Sequence, residues 1–139
     1  MEANKIIITG GATRIGAAIA KRLSRPGVEI VIHFNKSKSN AEKLKKELAK
    51  KQTKVYLVKG DLSKEPDVNK ILRFAKSKLK YFDCLINNAS LFENDKLENF
   101  TTDSWEHHLK VNLRAPALLS KEFSKNTRGK NNNLSLIHI

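Results

Sequence analysis

The stretch Lys5-Ile6-Ile7-Ile8-Thr9-Gly10-Gly11-Ala12-Thr13-Arg14-Ile15-Gly16-Ala17-Ala18-Ile19-Ala20 limits what this chain can fold into more than any other part of it. Three consecutive isoleucines read as a strand buried on both faces, because a one-sided strand would alternate with polar residues. Gly10 permits a tight turn directly after that strand, and Gly16 lets the following helix lie close to the sheet. Strand, glycine turn and helix follow without a gap, the order that a nucleotide-binding βα unit requires. In such a unit the free N–H groups and the positive end of the helix dipole face a pyrophosphate.

The rest of the chain repeats the alternation. The first helix is expected from about Arg14 to Ser24, with Ile15, Ile19 and Leu23 at helical spacing and Pro26-Gly27 ending it. Val28 to Phe34 reads as a second strand, Ser39 to Lys51 as a basic helix, and Lys54 to Val58 as a third strand closed by Lys59-Gly60-Asp61. Ser63 and Pro66 open a helix with Val68, Ile71, Leu72, Ala75 and Leu79 on one face. Cys84-Leu85-Ile86 is a fourth strand, with Asn87-Asn88-Ala89-Ser90 at its end. Thr102-Asp103-Ser104 starts a helix carrying Trp105, Leu109 and Leu113 and, past a break at Pro116, Leu119 and Phe123. A polar loop from Thr127 to Asn133 leads to a fifth strand pattern, Leu134 to Ile139. Strands separated by helices of this length imply right-handed parallel crossovers. The expected fold is α/β, a Rossmann-like doubly wound parallel sheet of five strands in the order 3-2-1-4-5, as one domain over residues 1–139.

The net charge of +13, from 27 basic and 14 acidic residues, raises nucleic acid as a partner. Many of the lysines lie on the second helix, where Glu42 and Glu47 precede Lys46 and Lys51 by four residues, the pattern of a solvated helix face. No aromatic interleaving or zinc-ligand spacing accompanies them, so nucleic acid is not the expected partner. The single cysteine, Cys84, excludes an internal disulfide and reads as a small hydrophobe inside its strand. His107 and His108 have no partners at metal-ligand spacing, and no metal is expected. With no apolar run long enough to span a bilayer, the expected location is the cytoplasm, without membrane attachment.

Ligands on sheets of this kind bind beyond the carboxyl ends of the strands, where four polar clusters of this sequence fall. After strand two come His33-Phe34-Asn35-Lys36-Ser37-Lys38. An NAD-preferring site would place a carboxylate there to accept from the adenosine ribose hydroxyls. Donors with positive charge stand there instead, which favours an ionised 2′-phosphate and hence NADP(H). After strand three, Asp61 either accepts from an adenine amino group or caps the helix that follows.

Thr9-Gly10-x-x-x-Arg14-Ile15-Gly16, Asp61-Leu62-Ser63, Asn87-Asn88-Ala89-Ser90 and Asn112-Leu113 resemble, in order and spacing, the amino-terminal half of the short-chain dehydrogenase/reductases. Arg14 and Ser90, each where most members have glycine, the basic stretch after strand two, and Phe92 resemble the pteridine reductase and dihydromonapterin reductase branch. The resemblance implies that Gly10, Arg14, Ile15 and Gly16 hold the pyrophosphate and that His33, Asn35, Lys36 and Ser37 surround the 2′-phosphate. Asp61 and Leu62 would flank adenine, while Asn88, Ala89 and Ser90 would line the ribose and nicotinamide. Arg14, Ser90 and Phe92 would face a small-molecule substrate, a pterin, with Phe92 stacked on its ring. Asn112 would support a water-linked proton relay at a helix irregularity, and the full-length protein would be a homo-oligomer.

The family's catalytic Tyr-x-x-x-Lys is absent, because Tyr56 and Tyr81 are not followed by lysine at the fourth position. The serine or aspartate that precedes that pair is also missing. The sequence is therefore expected to be the cofactor-binding half of an NADPH-dependent reductase that transfers hydride to a carbonyl or imine. It would bind cofactor without turnover and would be marginal or self-associating on its own. A non-catalytic dinucleotide-binding or sensor module is the alternative.

Overall fold

The computed structural model describes residues 3–127 and, as backbone, residues 133–136. The elements are β1 (Lys5–Ile8), α1 (Arg14–Leu23), β2 (Glu29–Phe34), α2 (Lys38–Ala49), β3 (Lys54–Lys59), α3 (Glu65–Leu79), β4 (Cys84–Asn87), α4 (Thr102–Leu109), a π-helical turn (Lys110–Arg114), α5 (Ala115–Lys125) and β5 (Asn133–Leu136). They form one sheet in the order β3-β2-β1-β4-β5, as expected, and every pairing is parallel. Residues 128–132 of the expected loop and 137–139 of the expected fifth strand lie outside the described residues.

The isoleucine run is continuous because both faces of β1 are covered. Ile6 and Ile8, with Ile30 and Ile32 of β2, enter the core that includes Ala20 of α1 and Ala41, Leu44 and Leu48 of α2. Ile7 and Val31 point the other way, into the core built by Val68, Ile71, Ala75 and Leu79 of α3 and Ala115, Leu119 and Phe123 of α5. Successive side chains of a strand alternate between faces, so an unbroken apolar run serves two cores at once. The five expected apolar positions of α3 are all buried.

Two helices bury a different face from the expected one. In α1 the fully buried positions are Gly16 and Ala20, whereas Ile19 and Leu23 are half-buried and Ile15 is 44% exposed. The helix thus approaches the sheet along its small residues, closer than an isoleucine stripe would allow. In the α4–α5 segment Val111, Ala115, Leu119 and Phe123 face the core, while Trp105, Leu109 and Leu113 are exposed. The two stripes are offset by two residues, roughly 200° around a helix, which puts them on opposite sides.

The close approach of α1 depends on Gly16 lacking a side chain. A Cβ there would run into the Gly10 carbonyl oxygen, with Asn88 Nδ2 at 2.6 Å and Gly11 Cα at 2.8 Å. Two of these are backbone atoms that cannot swing aside. Gly16→Ala is expected to lower stability by about 1–3 kcal/mol through overpacking, read as a lower urea midpoint with an unchanged slope.

Candidate dinucleotide-binding site

The carboxyl ends of β1, β2, β3 and β4 meet around the turn that follows β1. Gly10 adopts a left-handed conformation with φ +61°, which suits a residue without a side chain. Thr9 is buried beside it, and its Oγ1 accepts from Asn88 N and Ala89 N, both at 3.1 Å. Asn88 Nδ2 donates to Thr9 O at 3.0 Å and to Gly10 O at 3.1 Å. The end of β4 is thereby fastened to the glycine turn by four hydrogen bonds. Asn88 Oδ1 remains buried without a hydrogen-bond partner among the described residues.

His33 fastens the same turn from the other side. Gly10 N donates to its Nδ1 at 3.2 Å, so the ring proton sits on Nε2, which donates to Gly60 O at 2.8 Å. The ring is 2% exposed and both nitrogens are engaged. Burial is the main cause that holds its pKa below the ordinary 6.5, and the ring is neutral. The expectation that His33 itself surrounds a phosphate is corrected: the ring has no free donor to offer an anion, and it braces the turn instead. A lone histidine in the apolar strand Val31-Ile32-His33-Phe34 was the signal for such a brace.

The amino terminus of α1 opens beyond this interlock. Thr13 makes no side-chain cap, and the first turn holds no acidic residue, so the helix presents an uncapped positive end. Arg14 has φ +49°, a left-handed conformation that costs a residue with a side chain about 1–2 kcal/mol. Its side chain is exposed, as is Ile15 next to it. Arg14 also lines a cleft of about 340 Å³ between α1 and α2, with Thr13, Lys21, Asn40 and Lys43. Asn35 and Lys36 are exposed in the adjoining loop, and Ser37 is the N-cap position of α2, which likewise has no side-chain cap and no acid in its first turn.

The remaining candidates lie farther round the same edge. Asp61 Oδ1 accepts from Ser63 Oγ at 2.7 Å and from Ser63 N at 2.9 Å, and the Ser63 hydroxyl is the main cause of its lowered pKa. Asp61 thus holds the turn before α3, whose N-cap position is Lys64 and has no side-chain cap, so the expected helix-capping role is not seen. The Leu62 side chain is 5% exposed and part of the core, so the expectation that this side chain flanks adenine is corrected. Ala89 is half-buried, Ser90 is exposed and Phe92 is 81% exposed on the loop after β4. Asn112 sits in the π-helical turn, where its Oδ1 accepts from Leu91 N and its Nδ2 donates to Leu91 O, each at 2.8 Å. Cys84 is half-buried, and burial, then Asp83, push its thiol up to about 11.

Sequence reasoning passed over one cluster. Ligand-type atoms of Glu93, Asp95 and His108 all lie within 4.8 Å of one another. Both His108 nitrogens are engaged by backbone groups of Glu93 and Ser104, so the cluster is a hydrogen-bonded knot. Among the described residues no helix is long and apolar enough to cross a membrane.

A parallel doubly wound sheet with a glycine turn and uncapped helix at the end of its first strand defines a class of nucleotide-binding α/β proteins. Residues 4–137 match the family of short chain dehydrogenases, and the chain belongs to that family. It is 34% identical over 113 residues to the short-chain dehydrogenase/reductase FrzI of a Cladobotryum species, a match covering 81% of this chain and 44% of that protein. The crystal structure of a short chain dehydrogenase from Burkholderia cenocepacia in complex with NADP is similar with a TM-score of 0.89 at 26% identity, covering 96% of this chain and 54% of that one. FolM alternative dihydrofolate reductase 1 from Brucella canis, complexed with NADP, is similar with a TM-score of 0.85 at 29% identity, covering 94% and 53%. The chain spans about half the length of the relatives it matches.

Two outcomes follow from this geometry. Arg14→Gly removes the left-handed strain at the cost of a more flexible unfolded chain, and is expected to raise stability by about 0.5–1 kcal/mol, measured by thermal or urea unfolding. For His33, the unfolded chain binds a proton as pH falls below 6.5 while the folded chain resists it. The stability it contributes is full above that pH and is lost as pH falls through the lowered folded value. The urea midpoint should therefore drop as pH falls below about 6.5, and His33→Gln should have a lower midpoint with a flatter pH dependence there.

Proposed function

We propose that residues 1–139 form the cofactor-binding part of an NADPH-dependent short-chain reductase whose substrate is a pterin. The observation that carries this reading is the uncapped, acid-free amino terminus of α1, set between Gly10 and Gly16 and bordered by a basic loop with no carboxylate. The fit is supported by the unpartnered Asn88 Oδ1, a buried acceptor beside the glycine turn. Structural neighbours crystallised with NADP support the cofactor, and the FolM dihydrofolate reductase supports a pterin-like substrate.

In this reading Gly10, Arg14, Ile15 and Gly16 hold the pyrophosphate through backbone N–H groups and the helix dipole. Asn35, Lys36 and Ser37 surround the 2′-phosphate, with the uncapped start of α2 adding its own positive end. The backbones of Asp61 and Leu62 flank the adenine. Asn88, Ala89 and Ser90 line the ribose and nicotinamide, and Arg14, Ser90 and Phe92 face the substrate. The bound cofactor supplies a hydride to a carbonyl or imine carbon. Asn112 positions the loop after β4 through Leu91. The exposed stripe Trp105, Leu109 and Leu113 supports a homo-oligomer of the full-length protein.

Lys36→Asp sets an anion against the 2′-phosphate. It is expected to weaken NADPH binding by about 10–100-fold while changing NADH binding several-fold less, as measured by fluorescence titration of both cofactors. Equal losses for the two cofactors, or no NADPH binding by the parent chain, would overturn the assignment.

A further inference from the structure

Phe92 is exposed, yet its two neighbours in the chain are both pinned. On one side Leu91 is held through its N–H and its carbonyl by the Asn112 side chain. On the other side Glu93 N donates to His108 Nε2 at 3.0 Å. Because Nε2 accepts, the His108 ring proton lies on Nδ1, which donates to Ser104 O at 2.8 Å. Ser104 is held in turn: its N–H is capped by Thr101 Oγ1 at 3.1 Å, and its one hydroxyl proton is shared between Glu93 Oε2 at 3.0 Å and Asp95 Oδ2. One tautomer of neutral His108 therefore satisfies both backbone groups at once.

Protonation destroys that arrangement. An imidazolium has hydrogen on both nitrogens, so Nε2 can no longer accept from Glu93 N–H. The Glu93 and Asp95 carboxylates lie beside His108, each with an oxygen within 4.8 Å of a ring nitrogen, so they attract an imidazolium and can take its N–H once the loop shifts. His107, next on the helix, faces the same Glu93 with Nδ1 3.7 Å from Oε1, and Asp61 of the β3–α3 loop is charge-coupled to His107.

We propose that His108 is a positioning residue that sets Phe92 in a protonation-dependent way. Neutral, it clamps the Glu93 backbone and fixes Phe92 between two anchors; protonated, it exchanges the backbone for the carboxylates and frees the Phe92–Glu93 segment. The clamp stands on the loop geometry alone, and its consequence for substrate rests on the reductase reading given above.

The test reads the Glu93 amide by NMR hydrogen exchange in the 139-residue chain, as protection corrected for intrinsic rate. Protection should fall by about tenfold on acidification, the effect of losing one hydrogen bond. His107→Gln should keep this dependence. His108→Gln, which retains an acceptor but cannot take up the proton, should keep protection and lose the dependence, and His108→Ala should lose protection at every pH. A pH-independent Glu93 amide in the parent chain, or the same dependence in His108→Gln, would overturn the proposal. Biopterin titrated in the presence of NADPH gives the functional arm: binding that weakens on acidification in the parent and not in His108→Gln supports the consequence for substrate. Failure to bind NADPH with the Glu93 response intact would overturn the reductase reading and leave the clamp standing.

Discussion

The structure depends on a contact between two glycines and one amide. Asn88 Nδ2 reaches the carbonyls of both Thr9 and Gly10 because Gly16, directly above, has no side chain to hold it off. One packing constraint thus joins the end of β4, the turn after β1 and the start of α1. A buried amide that satisfies two backbone carbonyls cannot be replaced by an apolar group without leaving those carbonyls unpaired. The same contact fixes where the helix begins, and with it the direction in which its free N–H groups point.

His33 completes the frame by joining Gly10 to Gly60 across β2. It does so as a neutral ring, so the positive character of the site comes from helix ends and exposed side chains. This separation is physically useful. A charged brace in the core would carry a heavy desolvation cost, whereas helix dipoles and surface lysines present positive potential at none. Between α1 and α2, the cleft beside this edge carries Arg14, Lys21 and Lys43, with Glu47 paired to Lys21.

Sheet order, element sequence and the roles of Gly10 and Gly16 in the backbone were legible because each follows from a local rule: apolar runs bounded by turns, and glycine where the chain turns sharply. The α3 stripe was legible for the same reason. Periodicity alone did not tell which side of α1 is buried, since Ile15, Ile19 and Leu23 make an acceptable stripe until Gly16 brings the backbone closer. Nor did it separate the outward stripe at Trp105, Leu109 and Leu113 from the inward one two residues away. At the site, the sequence pointed to His33 and Leu62 but not to the direction of their side chains, which β2 sends inward for His33 and the turn after β3 for Leu62. The knot joins Glu93 and Asp95, from a loop that has no periodicity to read, to Ser104 and His108 of α4.

β1 is four residues long and is paired on both sides, to β2 and to β4. A deletion or insertion of a single residue before Thr9 would exchange the two cores, sending Ile7 toward α1 and α2 and its neighbours toward α3 and α5. It would also turn the Thr9 hydroxyl away from Asn88 and Ala89. The central strand therefore works as a length gauge: its residue count keeps both hydrophobic layers and the ligand-facing edge in phase, which leaves it free to change in side-chain size but not in number.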